Sequence, residues 1–263
     1  MQLSPLNQRR FNNFKSNKRG WYSFWIFSFL FLISIFADFI ANDKPLLVRY
    51  DNAFYLPIIN EYPETIFGGD FETEADYRDP FVKKLINSNG WIIMPIIPYS
   101  YNTIIRDLNV PAPAPPSQKN WLGTDDQARD VLARLIYGFR ISILFGFTLT
   151  FFSMIIGVSA GAVQGYFGGK TDLFFQRFME IWSAIPALYV LIILASIVQP
   201  NFWWLLIILL IFSWMGYVGV VRAEFLRARN FDYVRAAKAL GVSNSTIMFR
   251  HLLPNATVAT ITF

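Results

Sequence analysis

From residue 181 to residue 221 the chain carries no charged side chain. At about 1.5 Å of rise per residue, such a stretch can pass twice through the roughly 30 Å hydrocarbon core of a bilayer. A strongly charged segment, 222–255, follows it, and residues 256–263 are again uncharged and mostly apolar. A charged segment between two membrane-grade segments is an exposed loop. Composition agrees: 54% hydrophobic and 18% aromatic residues are too apolar for an ordinary soluble domain. The expected fold class is therefore an all-α polytopic membrane protein. The absence of cysteine excludes disulfides and thiolate catalysis. The net charge of +5 gathers in particular loops, as a membrane orientation signal requires, and is not spread as a nucleic-acid footprint.

Residues 1–20 contain Arg9, Arg10, Lys15, Lys18 and Arg19 and no acid, which suits a cytoplasmic N-terminus. Residues 21–41 are apolar except for Asp38 and are long enough for a first span. A cleaved signal peptide is the competing reading. The apolar run exceeds the usual ~7–15 residues and Phe-Ala-Asp-Phe-Ile-Ala-Asn is a poor cleavage site, so an uncleaved span is favoured. Trp21, Tyr22 and Trp25 would anchor its inner end. Residues 42–127 differ: seven basic against twelve acidic residues, 7 − 12 = −5, punctuated by Pro, Gly and Asn. That charge fits the outer side of the membrane. Pro111, Pro113, Pro115 and Pro116 end it as a stiff linker. Gly90 to Met94 suit a short strand or a membrane-packed segment, and residues 42–120 give no recognisable fold. Phe54, Tyr55, Trp91, Tyr99 and Tyr101 read as packing residues of a small cap, with contact to a peptide or binding protein as the alternative.

Residues 129–138 are amphipathic, with Val131, Leu135 and Ile136 on one stripe, and predict an interfacial helix closing an extracytoplasmic region 42–138. A permease-like core 139–263 follows, with spans at 141–163, 173–198 and 202–221. Gly157, Gly161 and Gly165 recur every four residues, a spacing that lets a second helix approach closely. Gly165-Tyr-Phe-Gly168-Gly169-Lys170-Thr171 resembles a phosphate-binding loop. However, Gln164 stands where the first glycine belongs, and the segment follows a membrane helix rather than a strand, so it is read as a tight cytoplasmic turn. Arg177 and Glu180, three apart, can pair near the inner end of the third span, and Pro186 should kink that span. Gln199-Pro200-Asn201 makes the outer turn. Beyond residue 221, Arg222, Arg227, Arg229, Arg235, Lys238 and Arg250 face only Glu224 and Asp232. This again places a loop, 222–255, in the cytoplasm.

Within that loop two short helices are expected. Asp232 is positioned to cap the first, which runs to Leu240, and Gly241 sits where a left-handed residue ends a helix. Ser243 can cap a second helix through Arg250, and Pro254 discourages continuation. Spacing alone leaves open a solvated loop lying on lipid headgroups.

Ala236-Ala237, Gly241 and Leu253-Pro254 resemble the EAA loop of bacterial ABC-importer permeases. Arg235 replaces the family's Glu and His251 its Ile, as in the dipeptide/oligopeptide branch. Trp121-Leu-Gly-Thr-Asp125 and Arg129-Asp130 through Arg140-Ile-Ser resemble the segment before the second span of oligopeptide-type permeases, with Gln127-Ala128 replacing the usual Gly. Residues 39–51 and 198–206 resemble the second permease of the microcin C/oligopeptide type. The resemblance implies a type I ABC-importer helical bundle in the bacterial inner membrane, without an enzymatic site or cofactor of its own. It further implies a second permease, cytoplasmic ATPase subunits and a periplasmic peptide-binding protein as partners. Asp232, Arg235, Ala236, Ala237, Gly241, Leu253 and Pro254 would then form the ATPase-coupling loop. Resembling permeases have six spans, so residues 256–263 read as the start of a fifth and the sequence as C-terminally truncated. Two other classes stay open. Spans with no acids except Asp38 and Glu180 near their ends offer little for a proton-coupled carrier or channel, and a lone His251 offers little for an enzyme.

Overall fold

The computed structural model describes residues 5–199 and 201–254. Thus Pro200 of the expected outer turn, Asn255 and the expected fifth-span start 256–263 lie outside the described residues. The chain divides into two compact units, Met1–Ile143 and Leu144–Phe263.

The first unit opens with α1 (Pro5–Ser16) and α2 (Lys18–Ile35), the latter capped by Asn17, whose side chain accepts from the Gly20 N–H. A break at Phe36 precedes the short α3 (Ala37–Ile40). Residues 42–120, which resisted a sequence reading, contain a three-stranded antiparallel sheet in the order β2-β1-β3. Strands β1 (Leu47–Tyr50) and β2 (Ala53–Tyr55) are joined by Asp51-Asn52, both at positive φ (46° and 60°). That conformation suits a two-residue hairpin turn, whose twist matches the strands, and Asp and Asn tolerate it well. Strand β3 (Gly90–Ile93) pairs on the other side of β1, with Val48 opposite Ile92. Before β3 runs α4 (Pro80–Asn89). Asp79 caps it by accepting from the Phe81 N–H at 2.8 Å, and Pro80 fills a position that needs no donor. Val48, Phe67, Tyr77, Val82 and Ile86 are buried together under this layer. Of the five cap aromatics, Tyr99 is buried, whereas Phe54, Trp91 and Tyr101 remain substantially exposed.

A second buried cluster joins Ala37 and Ala41 to Ile97, Ile105, Ala133 and Tyr137. The Tyr137 hydroxyl donates to Asp38 at 2.8 Å and Arg140 pairs with the same carboxylate at 2.7 Å, so the acid in the first apolar segment is matched. The Leu-Gly-Thr-Asp segment folds back through Asp125, which accepts from the backbone N–H groups of Gln127 and Arg129 and from the side chains of Arg129 and Arg134. Burial of this carboxyl works to raise its pKa. The backbone donors and the two guanidinium groups outweigh it and hold the pKa at about 2. Asp130 is buried, accepting from Asn120 and from the Ala133 N–H at 2.8 Å each, and so serves the free donors where α5 begins.

Helix α5 (Val131–Phe167) differs from the expected separate interfacial helix at 129–138: it runs unbroken across both units. The polar residues Arg134 and Arg140 modulate its surface without interrupting its backbone. In the second unit α6 (Gly169–Ser183) and α7 (Ala187–Ile197) are bent by 63° at the break before Ala187. Pro186 therefore ends one helix and starts another, a sharper event than a kink in one span. Gly168 alone, at φ 63°, forms the turn between α5 and α6, leaving Lys170 in the first turn of α6. Helices α8 (Phe202–Ser213) and α9 (Met215–Ala228) continue one another through Trp214. Among the described residues, Val131–Phe167 and Phe202–Ala228 are long and apolar enough to cross a membrane, with a third crossing if α6 and α7 make one broken span. Helix α2 is not among them, since it begins with Lys18 and Arg19 and stops at Ile35.

The glycine row of α5 lies against α9. A Cβ placed on Gly157 would stand 2.3 Å from the Trp214 carbonyl oxygen. One on Gly161 would be 2.8 Å from that of Val218, and one on Gly165 2.5 Å from the Phe225 Cβ. One step earlier the buried Ser153 hydrogen-bonds Ser213. Arg222 of α9 reaches α6 through a two-pronged pair with Asp172, at 2.5 and 2.7 Å.

Candidate functional site

The polar segment beyond α9 folds as a compact double helix seated on the ends of α5 and α9. Its first helix, α10 (Asp232–Ala239), corrects one expectation. The cap residue is Phe231, in an extended conformation with no side-chain hydrogen bond, and Asp232 is the first residue inside. There its carboxylate can still interact favourably with the positive helix end. One turn matters most. The Gly241 N–H donates to the Lys238 carbonyl at 3.0 Å and the Val242 N–H to the Ala237 carbonyl at 3.1 Å, with Gly241 at φ 76°. This pair of bonds satisfies the last carbonyls of α10, and the left-handed residue between them is costly for any side chain with a Cβ.

Ser243 caps the second helix, accepting from the Thr246 N–H at 3.3 Å. That helix, α11 (Asn244–Thr246), passes into a π-helical stretch (Ile247–Leu252) and then Leu253-Pro254 in helical form. The wider winding was not expected. It brings Ile247, Met248 and Leu252 together on one buried side, where they meet Val234 of α10, Val221 and Phe225 of α9, and Val158, Ala162 and Tyr166 of α5. Val234 is 0% exposed, so it is the fully buried apolar anchor of α10, with Ala237 packed partly beside it.

Two polar contacts reinforce this seat. The Tyr166 hydroxyl donates to Asn244 Oδ1 at 2.7 Å, and the Lys238 ammonium stands 4.6 Å from the centre of the same ring. One α5 side chain thus touches both helices of the loop. Arg229, at the end of α9, lies close against Gly168: a Cβ there would be 2.1 Å from its guanidinium. The segment rejected as a phosphate loop therefore supplies the loop's anchor, Tyr166. Its signal in the sequence was an aromatic one residue beyond the small-residue row.

The singled-out residues separate into two groups. Ala237 and Leu253 pack partly into the buried cluster. Asp232, Arg235, Ala236, Gly241 and Pro254 lie on the exposed side. Large apolar side chains share that side: Phe231, Tyr233, Phe249 and Leu240, the last 82% exposed directly before Gly241. Several large apolar groups are thus left open to solvent on one short segment. Arg177 and Glu180 do pair, at 2.6 Å, with both side chains largely exposed and away from this loop.

Comparison with known proteins accords with this architecture. The family model "Binding-protein-dependent transport system inner membrane component" matches residues 133–263, and "N-terminal TM domain of oligopeptide transport permease C" matches residues 4–57. The inner membrane ABC transporter permease protein YejE of Escherichia coli K12 is 56% identical over 262 residues, covering 100% of this chain and 77% of that protein. The peptidoglycan transport system permease protein YejE of Agrobacterium fabrum is 55% identical, covering 99% of this chain and 74% of its own length. The oligopeptide transport system permease protein OppC of Bacillus subtilis is 36% identical over 158 residues, 60% of this chain and 51% of that protein. With its apolar helices, its glycine-row helix contact and these matches along its whole length, the chain belongs to the inner-membrane permeases of peptide ABC importers.

Proposed function

We propose that this permease forms a peptide pathway together with a second permease, and that residues 232–254 receive the cytoplasmic ATPases that drive it. The observation that carries the coupling role is the contrast within the loop: a buried underside fixed to α5 and α9, and an exposed crown of Leu240, Tyr233 and Phe231 beside the Gly241 turn. A partner closing on that crown would push against a body that cannot slide, because Val234, Ile247 and Tyr166 hold it. The displacement would pass into the inner ends of α5 and α9, and through Arg222–Asp172 into α6. ATP hydrolysis belongs to the partner subunits in this reading. The N-terminus and the loop lie in the cytoplasm, residues 42–130 lie outside, and a periplasmic binding protein delivers the cargo. Relatives named for oligopeptide, dipeptide and peptidoglycan transport support peptides or peptide-bearing conjugates as the cargo class; a microcin C-like conjugate is suggested by the resemblance of residues 39–51 and 198–206.

Leu240→Asp tests the reading. Leu240 is outside the buried cluster, so the change should leave the fold intact. A charge at the centre of a partner contact typically costs ~2 kcal/mol or more, a ~30-fold weaker association. Co-purification of the permease pair with its ATPases, and ATP-dependent peptide uptake into right-side-out vesicles or proteoliposomes holding ATP in the lumen, should both fall. Unchanged assembly and uptake, or uptake that proceeds without ATP, would overturn the coupling role and favour a channel or ion-coupled carrier.

A further inference from the structure

A cavity of about 990 Å³ opens in the first unit between α4, the segment following β3, and the loop leading to α5. That is at the upper end of the ~300–1,000 Å³ typical of small-ligand sites. Its floor is ordered. Tyr99 is buried, and the Arg78 guanidinium lies 5.3 Å from the centre of its ring while donating to the Ile104 carbonyl at 3.2 Å. The Thr103 hydroxyl donates to Asp43 at 2.8 Å and accepts from the Ser100 N–H. This floor does not depend on a ligand to hold its shape.

The rim is different. Lys83, Arg106 and Lys119 line the cavity, are exposed, and have no ion pair or side-chain hydrogen bond among the described residues. Asp76 and Asp79 face the same space. Each uses one carboxylate oxygen on a nearby backbone N–H, of Arg78 and Phe81 respectively, leaving the other oxygen available. Between the charges stand apolar side chains, Ile96 at 72% and Trp121 at 57% exposure. Cations without partners and carboxylates with a spare oxygen rarely gather with apolar side chains around one cavity by packing need alone, since each would be as well solvated elsewhere on the surface.

We propose that this cavity is a binding site for a short zwitterionic peptide, held at its carboxylate by the Lys83, Arg106 and Lys119 group and at its ammonium by Asp76 and Asp79. The site shares no residue with the coupling loop and rests on the proposed function only for the class of cargo. A polyanion such as a lipid headgroup would use the cations but gain nothing from the two carboxylates.

The test uses the full chain in lipid nanodiscs with Ala-Phe-Ala as probe, and the same tripeptide N-acetylated and C-amidated, in calorimetric titrations. The free peptide should bind, and blocking both ends should weaken binding at least about tenfold, since two charge-assisted contacts are lost. The double variant Arg106→Glu/Lys119→Glu should weaken the free peptide similarly, and Trp121→Ala should do so without altering charge. Leu240→Asp should leave binding unchanged. Equal affinity for free and blocked peptide, or no effect of the rim variants, would overturn the proposal. Loss of peptide binding beside intact ATPase association would remove this site alone, and the converse result would remove the coupling reading alone.

Discussion

Replacing Gly165 by alanine provides the sharpest test of how α5 meets α9. The added Cβ would sit 2.5 Å from the Phe225 Cβ, 2.6 Å from the Arg222 carbonyl oxygen and 3.2 Å from the Arg222 Cα. Ordinary carbon contacts lie at about 3.5–4.0 Å, so the shortfall is on the order of 1 Å, and two of the three opposing atoms are backbone. A flexible side chain cannot relieve it; the helices must part or rotate. Overpacking of this kind costs about 1–3 kcal/mol. Alanine also favours a helix over glycine by about 1 kcal/mol, which masks part of the cost. Gly146, on the same helix, supplies the correction, because a Cβ there meets nothing within 4 Å. Both variants gain the same propensity term, so the difference between Gly165→Ala and Gly146→Ala isolates the steric cost. That difference should be about 1–3 kcal/mol, with Gly157→Ala and Gly161→Ala behaving like Gly165→Ala. Equilibrium unfolding of the purified chain in mixed micelles, followed by helical circular dichroism, measures it. If all four variants agree within about 0.5 kcal/mol, the glycine row is not what sets the approach of these helices.

Two further predictions follow from single contacts. Tyr166→Phe removes the bond to Asn244 but keeps the ring beneath Lys238. It should loosen α11 by about 1 kcal/mol, read as roughly fivefold faster amide exchange at residues 244–248, and Asn244→Ala should add nothing to it. Asp125 should make the 121–134 segment acid-sensitive. Its folded pKa, about 2, lies below its ordinary 3.8. The stability it adds is therefore complete above pH ~4 and is lost as pH falls through about 2. Amide exchange across 121–134 should rise over that window in the native chain and stay flat with Asp125→Asn; a flat native profile would refute the assignment.

What could be read from the sequence was local or periodic. A charge-free run fixed where apolar helices α7 and α8 stand, since no other placement spares it water. Glycines at four-residue spacing marked a close helix approach, and Gly241 and Ser243 marked helix ends, because each of these requirements is met by one or two residues. Legibility failed where a neighbour distant in the chain decides the outcome. Nothing near Asn244 announces that Tyr166, 78 positions away, will donate its hydroxyl to it. Nothing near Asp38 announces Tyr137, 99 positions away. Winding through the π stretch is settled by the buried meeting of Ile247, Met248 and Leu252 with α9, and not by their own propensities. The same holds for the start of α5: an amphipathic pattern at 131–138 reports which face is buried, but it cannot report that the backbone continues without a break into the apolar stretch beyond. The loop's two faces show the limit most clearly. Val234 and Leu240 are both aliphatic side chains, one within α10 and one at its end, yet one is sealed and the other open, and only the positions of α5 and α9 separate the residue that holds the loop from the residue left exposed.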